Sequence, residues 1–330
     1  MSQDQQQSQQ VGVIGLGAMG MGTATALLSK GFQVTGCDIA SGAREVFSAA
    51  GGNSVATPAE LAHCDVVLVI VVNGQQAEEV LFGAQGVVAH LAPGSVILQC
   101  ATVAPSQAKQ LGERLSAAGL WMLDAPISGG AAKAKSGDLS VMASGQPEVF
   151  NKAQRVLDAM AAKVYRLGDT PGVGSSMKLV NQLLAGVHIA TAAEAMALGI
   201  RMGLDPEVIY EVITHSAGNS WMFENRVPHI LSGDYTPLSA VDIFVKDLNI
   251  VHQTGRELSL ATPVAASALQ QFTAASGAGF GREDDSAVIK VYQRLSGIAL
   301  PEAANDARER SNEPSGNRVG RYRRRLYRSH

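Results

Sequence analysis

The first residues whose types and spacing suit chemistry are Gly15-Leu16-Gly17-Ala18-Met19-Gly20, a G-x-G-x-x-G run. Gly15 permits a tight turn, Gly17 lets a pyrophosphate approach the backbone, and Gly20 lets a helix pack against the preceding strand. Residues 11–14 read as that strand and a helix opens near Ala18, so a bound phosphate would meet a helix N-terminus. Asp38 ends the next strand-like run, residues 32–37, about 20 residues further on, where a carboxylate accepts from both ribose hydroxyls. The same carboxylate repels a 2′-phosphate. The nearest following Arg is Arg44, already in a helix-like stretch, and NAD is therefore favoured over NADP.

Two further clusters can do chemistry. Asp124-Ala125-Pro126-Ile127-Ser128-Gly129-Gly130 exposes consecutive backbone N–H groups and one hydroxyl, suited to holding a carboxylate. A plain turn between strands would use the same residues, and at this level both readings stand. Lys178 lies in the first turns of a long helical segment with apolar neighbours, and Asn181 and Gln182 follow at i+3 and i+4 on the same face. A Lys in a partly apolar cleft loses basicity and can serve as a general base near neutral pH. Taken alone, a surface Lys with a snorkelling stem has the same signature.

These residues need a frame. The chain has 330 residues, 46% of them hydrophobic, enough for about two domains of ordinary size. Its first half alternates short apolar runs with helical stretches, the pattern of an α/β Rossmann domain with a doubly wound parallel sheet. Residues 66–72 are seven β-branched or Leu side chains in a row, as in a strand buried on both faces. Thr57-Pro58-Ala59-Glu60 carries the cap, first-turn Pro and acceptor Glu of a helix start. Residues 96–99, 121–123, 139–143 and 164–167 supply later strands. After Gly172 the text turns Ala-, Leu- and Met-rich with helical spacing. Residues 174–202 read as one long helix, and Pro206 and Pro263 mark later helix starts. The expected division is a disordered leader (1–10), a dinucleotide-binding domain (11–171), an all-helical substrate and dimerisation domain (172–300) and a disordered basic tail (301–330).

Composition narrows the function classes. A net charge of -3 draws the chain neither to nucleic acid nor to an anionic membrane. Cys37, Cys64 and Cys100 lie far apart without a C-x-x-C pair, which fits buried thiols in a reducing cytoplasm. The seven histidines form no H-E-x-x-H pattern, no metal is expected, and His188 reads as a packed side chain. No run approaches the roughly 20 apolar residues of a membrane span. The Gln-rich start lacks the basic and apolar regions of a signal peptide. The eight arginines between positions 308 and 328 read as a solvated tail.

Over residues 11–301 the chain resembles the β-hydroxyacid dehydrogenases. The glycine run, residues 124–130, Lys178-Leu179-Val180-Asn181 and Lys246-Asp247-Leu248 carry the resemblance. It implies that Lys178 is the general base and that Ser128, Gly129 and Gly130 hold the substrate carboxylate. It also implies that Asn73, Thr102 and Lys246 face the cofactor, and that the enzyme is a homodimer or homotetramer acting on a small hydroxy-acid. Some branches of the family place the site amide four residues after the Lys, so Asn181 is named first and Gln182 second. Residues 218–226, 233–237, 241–247 and 283–290 resemble the branch that oxidises a four-carbon sugar acid, with 221–226 shaping the pocket for the acid's tail. Read from the residues alone, Trp221 is core and 283–285 a solvated helix start. The alternatives are a tartronate semialdehyde reductase or 3-hydroxyisobutyrate dehydrogenase using the same Lys, and a silent dinucleotide-binding protein.

Overall fold

The computed structural model describes residues 9–301. The leader and the Arg-rich tail otherwise lie outside the described residues. Gln10 is an exception to the expected leader. It opens the first strand, its N–H donating to Asp65 Oδ2 at 2.9 Å.

Six strands form one parallel sheet: β1 (Gln10–Ile14), β2 (Gln33–Cys37), β3 (Asn53–Val55), β4 (Val66–Val69), β5 (Val96–Gln99) and β6 (Trp121–Asp124). Their order is β3-β2-β1-β4-β5-β6, with Val13 beside Gly36 on one side and Leu68 on the other. The order reverses at β1, which opens a crevice at the carboxyl ends of β1 and β4. Side chains alternate between two cores. Val11, Val13, Leu68 and Leu98 pack on one face, and Ile14, Val67, Val69 and Ile97 on the other. Helices α1 (Ala18–Ser29), α2 (Ser41–Ala49), α3 (Gly74–Phe82) and α4 (Pro105–Ala117) make the crossovers.

Two local expectations need correction. The apolar run 66–72 is a strand only to Val69; Val72 is half exposed. Its last residues close instead on the glycine turn, where a Cβ on Gly15 would stand 2.4 Å from the Ile70 carbonyl oxygen. The helix start at Thr57 yields only a single 3-10 turn, Pro58–Leu61. Its capping box is formed, with Glu60 Oε2 accepting from Thr57 N–H at 2.9 Å.

The chain beyond β6 does not extend this sheet. Strands β7 (Ile127–Ser128), β8 (Leu139–Ala143) and β9 (Ala161–Arg166) make a separate three-stranded sheet, β7 antiparallel to β8. Pro126 has no N–H for a ladder, and the chain turns there. Reciprocal backbone bonds between Asp124 and Ser144, 2.9 and 3.0 Å, join the two sheets. Helices α5 (Gly130–Ser136) and α6 (Pro147–Met160) complete this layer.

Helix α7 (Val173–Arg201) runs 29 residues and packs against α9 (Trp221–Ser232), α10 (Val241–Glu257), α11 (Pro263–Ala275) and α12 (Ile289–Ser296); α8 (Pro206–Thr214) follows it in sequence. Pro206 and Pro263 do open their helices, at first-turn positions where the missing N–H costs nothing. Ala185, Ala192 and Ala193 let the neighbours approach α7 closely, and Phe244 stacks on Phe272 at 5.2 Å. Contrary to the sequence reading, α7 is long and apolar enough to cross a membrane by length and composition. Half of that apolar window is buried against the domain, as in a core helix.

Three side chains reverse their expected settings. Trp221 is half exposed at the start of α9 rather than core. Asp284 and Asp285 are fully buried rather than a solvated helix start. For Asp285 the reason is Arg226, whose Nε lies 2.5 Å from Asp285 Oδ1 and whose Nη2 donates to Oδ2 at 3.1 Å; Asp284 accepts instead from the N–H groups of Leu238 and Ser286, at 3.1 Å each, and from Ser286 Oγ at 2.7 Å. Two buried charges are tolerated where each neutralises the other through a bidentate contact. The three cysteines are free and buried, as expected, and His188 is half-buried on α7.

One buried carboxylate ties the sheet layers to the helices. Asp124 accepts from the N–H groups of Gly172 and Ser175 at 2.8 Å each, and from Ser175 Oγ at 2.7 Å. Asp124→Ala leaves three buried donors unpaired, so urea unfolding should show a loss of roughly 3 kcal/mol or more. Wild-type stability in that variant would mean that other contacts hold α7 in place.

Candidate active site

The glycine turn has the shape that a pyrophosphate requires. Gly15 sits at φ +94°, a conformation that residues with side chains rarely adopt. A Cβ on Gly20 would stand 1.8 Å from the Gly15 carbonyl oxygen, while above Gly17 nothing lies within 4 Å. No side chain caps α1, so the N–H groups opening the helix at Ala18 and Met19 are left for an anion. Asp38 is anchored across from them. Leu16 N–H donates to its Oδ2 at 2.7 Å and Ala40 N–H to its Oδ1 at 2.8 Å, which leaves lone pairs on both oxygens. The cradle is closed where the glycines pack and open where the phosphates lie, so these residues fit a dinucleotide.

Lys178 lies at the joint between the sheet layers and the helices. Its side chain is buried, and Nζ donates to the Ile127 carbonyl at 2.8 Å, next to Ser128. Burial pushes its pKa down from 10.5 to about 8; the Asp247 carboxylate pulls it up, and the Lys246 ammonium pushes it down further. Gly129 and Gly130 have φ of +135° and +77°, and space is open where a Cβ of Gly130 would stand. At Gly130 the turn therefore leaves its backbone uncovered, whereas Lys133 packs against the Gly129 side.

Around Lys178 stands a set of polar groups from two helices. Asn181 Nδ2 donates to Gln182 Oε1 at 2.9 Å, and Gln182 Nε2 donates to Asp247 Oδ2 at 2.5 Å. Lys246 lies with Nζ 2.5 Å from Asp247 Oδ1 and 3.4 Å from the Thr102 carbonyl. The structure thus gathers Lys178, Asn181, Gln182, Thr102, Lys246 and the Ser128–Gly130 turn into one neighbourhood. Asn73 makes its hydrogen bond elsewhere. Its Oδ1 accepts from Gln76 N–H at 2.8 Å and caps α3 beyond the end of β4. No group of three or more His, Cys, Asp or Glu side chains suited to a metal occurs among the described residues.

Two residues of this region escaped the sequence reading as site residues. Asp247 shares the inward face of α10 with Phe244, Leu248 and Val251, and an acid at an apolar-face position was the available signal. Asp124 closes β6 with no local sign that its partners lie about 50 positions on. Burial holds its carboxyl above the ordinary range, against the pull of its bonds to Ser175 and Gly172.

A phosphate cradle on a parallel sheet, with a buried Lys beside an anion-ready turn where sheet meets helices, defines a dinucleotide-dependent dehydrogenase. Residues 10–168 match the NAD binding domain of 6-phosphogluconate dehydrogenase, and residues 172–292 match the NAD-binding domain of NADP-dependent 3-hydroxyisobutyrate dehydrogenase. L-threonate dehydrogenase of Cupriavidus necator is 59% identical over 295 residues, which are 89% of this chain and 98% of that protein. The L-threonate dehydrogenase of Escherichia coli K12 is 50% identical over 297 residues, 89% of this chain and 97% of that protein. A crystal structure of 3-hydroxyisobutyrate dehydrogenase from Salmonella typhimurium superposes with a TM-score of 0.82 at 49% identity, covering 86% of this chain and 100% of that one. The chain belongs to the 3-hydroxyisobutyrate dehydrogenase-like family of β-hydroxyacid dehydrogenases.

The setting of Asp38 generates a test of cofactor choice. Arg44, the nearest cation, donates through Nη1 to the carbonyls of Asp38 and Ile39 at 2.7 and 3.0 Å. Asp38→Ala removes the repulsion of a 2′-phosphate and leaves that guanidinium nearby. Fluorescence titration should show tighter NADH than NADPH binding in the wild type and a narrower gap in Asp38→Ala. Tighter NADPH binding by the wild type would overturn the assignment.

Proposed function

We propose that this enzyme oxidises L-threonate to its 2-oxo acid with NAD, Lys178 serving as the general base. The observation that carries the reading is a buried ammonium of lowered basicity hydrogen-bonded at the Ile127–Gly130 turn, in a chain 50–59% identical to L-threonate dehydrogenases over their whole length. When bound, the nicotinamide supplies the hydride acceptor. The chain's own residues do the rest. Ser128 and the N–H groups of Gly129 and Gly130 hold the substrate carboxylate, which fixes the hydroxyl relative to the helix. Neutral Lys178 takes the hydroxyl proton at Nζ as the carbinol C–H bond breaks, and the Ile127 carbonyl and Asp247 stabilise the ammonium that results. Asn181 or Gln182 orients the reacting oxygen. The substrate assignment is tested by NAD-linked turnover on a panel of four-carbon sugar acids, tartronate semialdehyde and 3-hydroxyisobutyrate.

The proton step has a pH signature. Lys178 must be neutral to accept a proton, so oxidation should accelerate as pH rises through about 8, the pKa to which burial brings it. Lys178→Ala should still bind NAD yet lose turnover by roughly 10²-fold or more. Lys178→Arg should not restore it, because Arg stays protonated. Near-wild-type kcat in either variant would assign the proton to another group.

We further propose that the enzyme works in the cytoplasm as a homo-oligomer, with a second copy seated on α7. Met177, Val180, Leu184, Leu198 and Met202 are 44–64% exposed. At 100° per residue they fall within an arc of about 60°. The stripe runs about 38 Å along the helix, and a stable interface of roughly 800 Å² per partner would use it together with neighbouring surface. Sedimentation should show a dimer or larger, reduced toward monomer by Val180→Glu with Leu198→Glu. An unchanged assembly in that variant would place the contact elsewhere.

A further inference from the structure

Both amides that follow Lys178 lie near it, and the hydrogen-bond polarity of the cluster separates their roles. The Asp247 carboxylate is almost fully buried and, when ionised, can only accept. Its Oδ2 therefore requires the NH₂ end of Gln182, which turns Oε1 the other way. Gln182 Oε1 in turn accepts from Asn181 Nδ2. An amide that could flip in isolation is fixed here by a carboxylate at the end of the chain of bonds. Both ends of the buried Gln182 amide are engaged inside the protein. Asn181 is only half buried; it retains Oδ1 and the second N–H of Nδ2 for groups in the cleft.

We propose that Asp247 and Gln182 are positioning residues that set the orientation of the Asn181 amide, and that Asn181 rather than Gln182 meets the reacting hydroxyl. The inference rests on the reading of Lys178 as the base. Asn181 then offers a donor to the substrate oxygen as negative charge grows there, and an acceptor to the Lys178 ammonium. Gln182 is long enough to cross from α7 to α10, and Asp247 waits there already paired with Lys246. The charged groups that face Lys178 are Asp247 and Lys246 on α10; Asp124 on β6 is bonded to Ser175, one turn earlier on α7.

A double-mutant cycle decides between a residue that acts through another and one that acts directly. Gln182→Met keeps the length and most of the volume of the side chain and removes both amide bonds. In the wild-type background it should lower kcat for the hydroxy-acid roughly tenfold, with a smaller change in KM. In an Asn181→Ala background the same substitution should change kcat by less than about twofold, because the group it positions is gone. Equal losses in both backgrounds would show that Gln182 contacts the substrate itself and would overturn the assignment. Full activity of Gln182→Met would overturn it as well.

Asp247→Asn supplies an independent readout. NMR titration of the Lys178 side chain in the cofactor-free protein should give a lower midpoint than wild type, since a negative charge beside the ammonium is lost. Gln182→Met, with no charge changed, should leave that midpoint near the wild-type value. An unmoved midpoint in Asp247→Asn would remove Asp247 from the arrangement. Lys178→Ala assayed alongside separates the two claims: turnover in that variant would refute the base assignment whatever the cycle shows.

Discussion

An ammonium taken out of water needs a carbonyl or a carboxylate beside it, and Lys178 has one of each kind close by. The Ile127 carbonyl accepts a hydrogen bond from Nζ at 2.8 Å, and the Asp247 carboxylate raises its pKa against the larger effect of burial. Neither partner comes from α7. One lies on a two-residue strand of the small sheet, the other on a helix of the second domain. A residue with a pKa near 8 can exist here only if three separate pieces of chain converge. The Asp124 strut, the α7–α10 contact and the turn at Gly129 and Gly130 all serve that convergence.

The same logic explains the position of the site relative to the glycine turn. The crevice at the carboxyl ends of β1 and β4 follows from the reversal of strand order, and the phosphate cradle occupies it. β6 then delivers the chain through Asp124 to Pro126, away from the parallel ladder and toward α7. Had β7 continued the main sheet, the Ile127 carbonyl would have been free to join its ladder rather than accept from Lys178. Set in the separate antiparallel pairing with β8, Ile127 and Ser128 border Lys178.

What the sequence made legible was local chemistry with local spacing. The G-x-G-x-x-G run, Asp38 at the end of β2, the long helix and the first-turn prolines all depend on contacts within about 20 residues, and each could be read from spacing. What failed depended on partners far along the chain. The run 66–72 carries one apolar texture, but a strand and the turn that closes on Gly15 both want such side chains. Asp285 looks solvated until Arg226, about 60 positions earlier, is placed against it, and Asp284 until the Leu238 N–H, 46 positions earlier, donates to it. Trp221 looks like core because size and apolarity imply burial, yet it opens α9 on the exposed side. Asp247 could have been found, because it interrupts the inward stripe of α10. An acid on an apolar face is either an error of register or a group with buried partners, and the regular spacing of Phe244, Leu248 and Val251 rules out the first.

The arrangement also bears on how one fold can serve several hydroxy-acids. Lys178, the Asp247–Lys246 pair and the turn that follows Ile127 lie on α7, α10 and β7, and buried contacts hold them. The segment around Trp221 is held differently. Arg226 locks its middle to Asp285 inside the helical domain, while the indole one turn earlier stays half exposed. A buried bidentate ion pair fixes backbone position without dictating the side chains before it. Substitutions at the start of α9 can therefore change the surface around Trp221 without loosening the helix that carries them. Substitutions at Asp247 or Gln182 differ, because Asp247 is bonded to Gln182 and Gln182 to Asn181, so either change breaks the chain of bonds that ends at the Asn181 amide. The start of α9 and the cluster around Lys178 thus differ in tolerance to change, a separation that the positions of Arg226 and Asp247 already impose.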